Sequence, residues 1–501
     1  MKFEQKKSII FSITALVVIL ILVNLISRNW FFRFDLTDNK MYSLSNSSKK
    51  VLGQIDDLLT LKVYFSDDLP GEYGNNRRYL QDILEEYAAY SDGNIRFEFY
   101  IPETNEKLEE EAQKAGIQSV QLQVVENDKV EVKRVLMGMT LNYEDQKEII
   151  PLIQSTTGLE YEITTKIKKL VDKDKKVIAV AALEENPGIK NQNISSLLRQ
   201  RYQVRKIVLD KPVPNEIDVL LVNGVLDSLS ADTKTNLVSF IDRGGNVFIA
   251  QGRIDTDIQT QKATPIQSDI FDLLSGYGFQ LEKNLVLDHQ CGSVSVQQNM
   301  GFIRMNVPME YPFLPIITKF NPDESMVNGL EQLTVMFASE IIADTGYTIT
   351  PLFSSSNRSS TMTGQYNLNP DPRANPVLNR LNSPGKLLAA RSNILNDQTN
   401  IASQIILISD SKFFADEGGG GIPANHIFIM NAVDYLAGDE DLIALRSREI
   451  TNRPLQEIED SAKKTWKWIN IILPSLLIVS FGFIRLRKQR KRAQMLEEMY
   501  D

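Results

Sequence analysis

A lone cysteine, Cys291, and a histidine two positions earlier, His289, are where this 501-residue sequence brings a nucleophile and a base into proximity. On an extended chain their side chains share a face, as a thiolate–imidazole pair would require. Cys291 follows "LDHQ" and lacks the flanking glycines of a strand-to-helix elbow, so the pattern favours a structural cysteine. Ser411, in "SDSKFF" at 409–414, has no G-x-S-x-G around it and no evident base. Asp410 beside it could bind a cation, but a single carboxylate reads first as a helix cap or ion-pair partner. "GGGG" at 418–421 runs into Ile422-Pro423 without the GK[ST] of a phosphate loop, and reads as a flexible lid or linker. No ATPase motif appears, so any energy the protein uses must come from a partner. One cysteine and two histidines exclude a disulfide framework and a cysteine-rich zinc site. The expectation is no enzyme activity, no catalytic residue, no metal and no cofactor.

The elements around these residues form an alternating α/β pattern. "VIAVAAL" at 177–183 is continuously apolar, as a strand buried on both faces must be. A helix around Ile194 to Tyr202, the strands "VRKIVL" and "DVLLVNG", a helix starting at Ser230 or Asp232, and "NVFIA" follow. Gly244-Gly245 stops the second helix. "TVMFASEI", "KLLAARS" and "QIILISDSKFF" read as further strands, and "HIFIMNAVDYLAG" as a closing helix. This predicts a parallel sheet. Ligands of open parallel sheets bind at the carboxyl ends of strands, which here carry Asn223, Gln251, Asp410 and Ser411 as candidate ligand or contact positions. Residues 354–385, rich in Ser, Thr, Asn and Pro, read as a long surface loop. The sheet resembles the class I glutamine-amidotransferase-like fold. Enzymes of that fold need a cysteine at the turn where this chain has Gln251 and Gly252.

Upstream, "LTLKVYF" alternates as a strand does. Leu80, Ile83, Leu84, Tyr87 and Ala88 line one helix face, and "IRFEFYI" is a second strand. Residues 103–115 read as a helix stopped by Gly116, and "VQLQVV" with "VEVKRVLMGMTLNY" as a hairpin across Asn127-Asp128. A last helix has Leu159, Ile163, Ile167 and Leu170 on one face, with its acidic residues early and its lysines late. The order matches a thioredoxin-like unit. The position of its redox motif reads "SDDLPGEYGNNRRY", without cysteine, so thiol chemistry is excluded there.

Two apolar segments flank this α/β portion. Ser8 to Ser27 holds no charge over 20 residues, enough to span the hydrocarbon core. Trp466 to Ile484 has only Lys467 near its outer end and contains Pro474, which a membrane helix tolerates. No small-x-small cleavage pattern follows the first, so it reads as an uncleaved anchor. Lys2, Lys6 and Lys7 at one end, and the basic run from Arg485 to Arg492 at the other, keep both termini cytoplasmic. Trp30, Phe31, Phe32, Trp466 and Trp468 then fall at one outer interface. The chain carries −9 overall, with +2 in residues 1–27 and +3 in 485–501, leaving −14 between them. An acidic exterior of this kind excludes nucleic acid as a partner. Asn24 and Asn470 lie at matching depths and are candidate intramembrane polar contacts. Between the first span and the first strand, Ser43 or Ser45 can cap a helix through Leu52. Asp35, Leu36, Thr37, Tyr42, Ser43, Leu44 and Ser45 are predicted to form a rigid coupling joint. The domain boundaries read as 1–7 (cytoplasmic), 8–27 (transmembrane), 28–172 (thioredoxin-like, periplasmic), 173–455 (amidotransferase-like, periplasmic), 456–465 (linker), 466–484 (transmembrane) and 485–501 (basic tail).

Several phrases in order resemble the GldG family of ABC-transporter auxiliary proteins associated with gliding motility. They are "FDLTDNKMYSLS", "RRYLQDILEEYAAYSDGNIRFEFYIPE", "TGLEYEITTKIKKL", "FIDRGGNVFIAQG", "LLSGYGFQLEKNLVLDH", "ILISDSKFF" and "NAVDYLAGDEDLIALRSREI". The resemblance covers nearly the full length and implies an inner-membrane complex with an ABC ATPase subunit and a polytopic permease subunit. It also implies a large periplasmic part and a link to gliding motility. It supplies no catalytic residues. A homo-oligomer within such a complex is compatible with it. A cryptic periplasmic hydrolase and a structural envelope scaffold are the alternatives.

Overall fold

The computed structural model describes position 16 and residues 43–67, 69, 71–126, 129–172, 175–182, 190–258, 260–300, 303–396, 399–449 and 460–500. The chain divides into a body, up to Thr451, and a separate segment from Asn452. The predicted first span, with Asn24 and the joint residues Asp35, Leu36, Thr37 and Tyr42, lies outside the described residues, position 16 apart.

The body opens with α1 (Asn46–Leu52), whose start is fixed by Ser45: its hydroxyl accepts from the Ser48 amide at 3.1 Å. Then come β1 (Leu59–Phe65), α2 (Gly71–Tyr90), β2 (Ile95–Tyr100), α3 (Glu106–Lys114), β3 (Ser119–Glu126), β4 (Lys129–Tyr143), β5 (Gln146–Ile150) and α4 (Leu159–Val171). β1 pairs in parallel with β2 and antiparallel with β4. The predicted hairpin is present, with Ser119 opposite Leu136 and Glu126 opposite Lys129. β4 then continues to Tyr143 and pairs there with β1 on one side and β5 on the other. β5, "QKEII", carries no strand signal in the sequence, because it buries only Ile150 fully and shows no clean alternation. The core of this sheet takes Leu61, Val63 and Phe65 from β1, the apolar stripe of α2, and Leu159, Ile163, Ile167 and Leu170 from α4.

The second sheet begins with β6 (Val177–Ala182), α5 (Gln192–Arg199), β7 (Gln203–Val208), β8 (Val219–Val222), α6 (Ala231–Asp242) and β9 (Asn246–Ala250). Ser230 is the cap of α6. A ribbon of β10 (Ile254–Asp257) and β11 (Lys262–Pro265), the short α7 (Ile270–Ser275), β12 (Phe279–Leu281) and β13 (Asn284–Asp288) follow. β14 (Cys291–Met300) and β15 (Ile303–Ile317) form a long hairpin, and β16 (Leu333–Thr334) and β17 (Ile341–Ala343) are short. β18 (Thr348–Ser354), β19 (Ser359–Thr363), β20 (Leu387–Asn396), β21 (Ile401–Ile408), α8 (Pro423–Leu436) and α9 (Asp441–Glu449) complete the body.

Seven strands join in the order β18-β20-β21-β9-β8-β6-β7. The run from β21 to β7 is parallel, and β18 and β20 add an antiparallel edge. Both faces are covered. Ile178 and Val180 of β6 pack with residues of α5 and α8, while Val177, Ala179 and Ala181 pack with residues of α6 and α7. This double burial explains the unbroken apolar run of β6.

Three expectations need correction. "TVMFASEI" is not one strand: Phe337 has φ +50°, and the amides of Val335 and Phe337 donate to Pro315 and Phe313 while that of Ser339 donates to Ser409. Residues 354–385 are not a bare loop. β19 pairs with β13, and successive Asn367, Asn369 and Asp371 side chains accept from the amides two residues on. The polar composition therefore encodes a chain of Asx turns. The glycine run is neither lid nor linker. Gly419 and Gly420 are buried, and a Cβ on them would lie 2.6 Å from the Phe413 and Phe414 carbonyl oxygens, so glycine is required for close backbone approach.

In the second unit, α10 (Asp460–Tyr500) holds the predicted Trp466–Ile484 span with Pro474 inside it. Among the described residues it is the one helix long and apolar enough to cross a membrane, over Ala462–Arg490.

Candidate functional site

The carboxyl ends of β8, β9 and β21 meet, and they bring together Asn223, Gln251, Asp410 and Ser411. Gln251 is fully buried and acts as a bracket between two turns. Its Oε1 accepts from the Val225 amide at 2.6 Å, and its Nε2 donates to the carbonyls of Val225 (3.0 Å) and Gly252 (2.8 Å). Ser411 joins the third turn. Its Oγ accepts from the Gly252 amide at 2.7 Å, and its carbonyl accepts from Gly224 at 3.2 Å. A Cβ on Gly224 would lie 2.6 Å from the Ser411 carbonyl oxygen, so the three turns interlock at backbone distance. Asn223 Oδ1 and Ser409 Oγ are buried there without a hydrogen-bond partner.

Asp410 sits beneath this knot. Its two carboxylate oxygens accept from the amides of Lys412 (2.8 Å) and Met336 (2.9 Å). Burial pushes its carboxyl up to about 6, against the opposing pull of those amides and of Lys412. A cavity of about 440 Å³ opens beside it, with Ile254, Asp257, Phe337, Ser411 and Lys412 in its walls. Lys412 Nζ donates to the Thr256 carbonyl at 2.8 Å, which ties β10 to the loop after β21. The same loop caps α5 from outside: Asp416 accepts from the amides of Gln192 and Asn193 at 3.0 and 2.9 Å. Gln251, Asp410 and Ser411 thus act chiefly as ties among turns, while the Asn223 side-chain oxygen lies buried and unpaired among them.

Cys291 and His289 lie elsewhere, at the start of β14 and just before it. Burial pushes the Cys291 thiol up to about 11, with Glu310 and Asp288 adding to the shift and a backbone bond near Tyr311 opposing it. A thiol so placed stays protonated at neutral pH and is a weak nucleophile. The other histidine, His426, has its Nε2 3.0 Å from the Gly420 carbonyl.

A second polar constellation lies at the start of α1. Leu44 is buried in the first core, and the Ser45 amide donates to Glu160 Oε1 at 2.7 Å. Ser48 Oγ donates to the same oxygen at 2.6 Å and lies 2.8 Å from Thr164 Oγ1. Tyr87 contacts Thr164 and donates to the Glu160 carbonyl at 3.1 Å. Ser45 is therefore both helix cap and anchor point, whereas Ser43 does not cap α1. Glu160 reads in sequence as a dipole charge; nothing local signals that it is buried. Asn470 is exposed on α10.

Residues 174–432 match the family described as an ABC-type uncharacterized transport system, and residues 38–142 match a domain of unknown function. An uncharacterized protein of Borreliella burgdorferi is 23% identical over 522 residues, covering 98% of this chain and all of the relative. Among solved structures, the mmIFT52 N-terminal domain is 12% identical with a TM-score of 0.34, over 52% of this chain and 97% of that one. A ThuA-like protein of Parabacteroides merdae is 10% identical with a TM-score of 0.30, over 57% and 94%.

Proposed function

The chain belongs to the ABC-type uncharacterized transport system family, and on that footing we propose that it is a membrane-anchored, non-catalytic auxiliary subunit of an ABC transporter. The family match over 174–432 is the observation that carries this reading. Within it, the protein is a GldG-type subunit linked to gliding motility, held by two anchors with both termini cytoplasmic and the body periplasmic. Residues 28–172 form a thioredoxin-like unit without redox cysteines, and residues 173–455 an amidotransferase-like unit. The candidate membrane helix at 462–490, the basic run that begins within its last turns at Arg485 and the apolar stretch at 8–27 support the two-anchor arrangement. The high pKa of Cys291 and the self-tied strand ends support a binding or coupling role over hydrolysis. Residues 35–45 serve as the joint between first anchor and body, which the seating of Ser45 on Glu160 supports.

The test is purification of the tagged protein from native membranes in mild detergent, with mass spectrometry of what accompanies it. Recovery of an ABC ATPase and a polytopic permease is expected. Their absence, under conditions that keep other membrane complexes intact, removes the auxiliary-subunit reading.

A further inference from the structure

The body's first and last described helices, α1 and α9, are fastened to each other and to α4. Lys50 of α1 pairs with Asp441 at the start of α9, at 2.6 Å. Adjacent residues of α4 serve the two sides. Glu160 holds α1 through Ser45 and Ser48, and Tyr161 holds α9 through Arg446, whose Nη2 donates to its hydroxyl at 2.5 Å. The Arg446 guanidinium also lies over the Tyr161 ring, 4.7 Å from its centroid.

Arg446 does not end there. Its Nη2 reaches Asp434 Oδ2 at 2.7 Å, and its Nη1 donates to Asn431; both partners are on α8, which packs on the second sheet. Asp434 is fully buried, and its other oxygen holds Arg201 at 3.0 Å and accepts from Tyr202 at 2.6 Å. Arg201 continues to Asp439 at 2.7 Å, and Asp439 returns to Lys168 of α4 at 3.3 Å. Guanidiniums this dry stay only where carboxylates face them, and Arg446 has one geometry that meets Asp434, Asn431 and Tyr161 together.

We infer that Asp434 and Arg446 form a clamp that fastens the two ends of the body to one another, so that a pull on either membrane connection is passed to the other through α1, α4 and α9. Residues 450–459 alone separate α9 from α10, and α1 begins soon after the predicted first span. This inference rests on the two-anchor reading for what does the pulling. The clamp itself belongs to the body.

Hydrogen exchange on the full-length protein in detergent tests it. Breaking a buried ion pair by removing one partner costs enough to raise local opening on the order of 100-fold. Arg446→Met should therefore raise exchange by about that factor in both 46–52 and 441–449, with strands 246–250 and 405–408 unchanged. Tyr161→Phe keeps the ring and removes the hydroxyl, and should raise both segments about fivefold even if Arg446→Met does not fold. A rise confined to one segment, or none in either, overturns the clamp. Co-purification of ATPase and permease reports on the transporter reading separately. A body that loosens at both helices without those partners keeps the clamp and loses the transporter.

Discussion

Asp410→Asn isolates the electrostatic cost of the carboxylate under the strand-end knot. Burial raises the Asp410 carboxyl from 3.8 to about 6 in the folded chain. The folded state thus holds the proton more tightly than the unfolded one, and stability falls as pH rises from 3.8 to about 6. The whole window corresponds to about 3 kcal/mol, at about 1.4 kcal/mol per pKa unit, and the full penalty is present at neutral pH. Between pH 7 and pH 5 the wild type should gain about 1.3 kcal/mol relative to the variant, whose amide does not titrate. Asparagine cannot accept from both the Met336 and Lys412 amides as the carboxylate does, which adds a pH-independent offset of about 1–3 kcal/mol. The measurement is pulse proteolysis in urea on both full-length proteins at several pH values. Tryptophan fluorescence would miss the event, because the three tryptophans are Trp30, Trp466 and Trp468. Curves that stay parallel from pH 7 to pH 5 would refute a buried, ionised Asp410.

Gly224→Ala should destabilise the body by about 3 kcal/mol or more, since its Cβ would meet the Cβ, Cα and carbonyl oxygen of Ser411, none of which can move without the backbone; a midpoint within about 0.5 kcal/mol of wild type in the same proteolysis assay contradicts the interlock. Glu160→Ala removes the acceptor of the Ser45 amide and the Ser48 hydroxyl and should cost about 2–4 kcal/mol. Faster exchange at 46–52 is the signature, and an unchanged α1 would show that the seating is incidental. With its thiol at about 11, Cys291 in the folded protein should react with iodoacetamide at least about tenfold slower than in urea near neutral pH. Cys291→Ala and His289→Ala should leave function intact, and loss of function in a folded Cys291→Ala protein would restore the hydrolase reading.

The parts of the fold legible in the sequence are those where one local force decides. The apolar run of β6, the serine caps of α1 and α6 and the stripe of α4 each report burial or helix-end chemistry within a few residues. What stayed hidden depends on partners distant in sequence. Glu160 meets Ser45 across 115 positions and Arg201 meets Asp434 across 233, so each reads locally as a surface charge. The glycine run misled for a related reason. Glycine signals either freedom or close approach, and only the carbonyls of Phe413 and Phe414 show that it is the second. Strand-end positions were legible as places, because parallel sheets put their turns there. Their roles were not, since whether Gln251 faces a ligand or its own backbone depends on where Val225 lies.

Buried polar groups are costly unless paired, and this body places several at two junctions. At the strand ends, Gln251 and Ser411 bind main-chain groups of neighbouring turns. At the helix junction, Glu160 and Asp434 bind side chains and amides from elements far apart in the chain. In both places the polar atoms fix the relative position of elements that apolar packing alone would leave free to slide. A carboxylate that holds two guanidiniums and a phenol tolerates little displacement before a charge is left unpaired, so the helix junction resists small motions and yields abruptly to large ones. Substitutions at these positions should therefore alter the stiffness with which the body links its two ends. In a coupling subunit, stiffness sets how much of a partner's movement arrives at the far end.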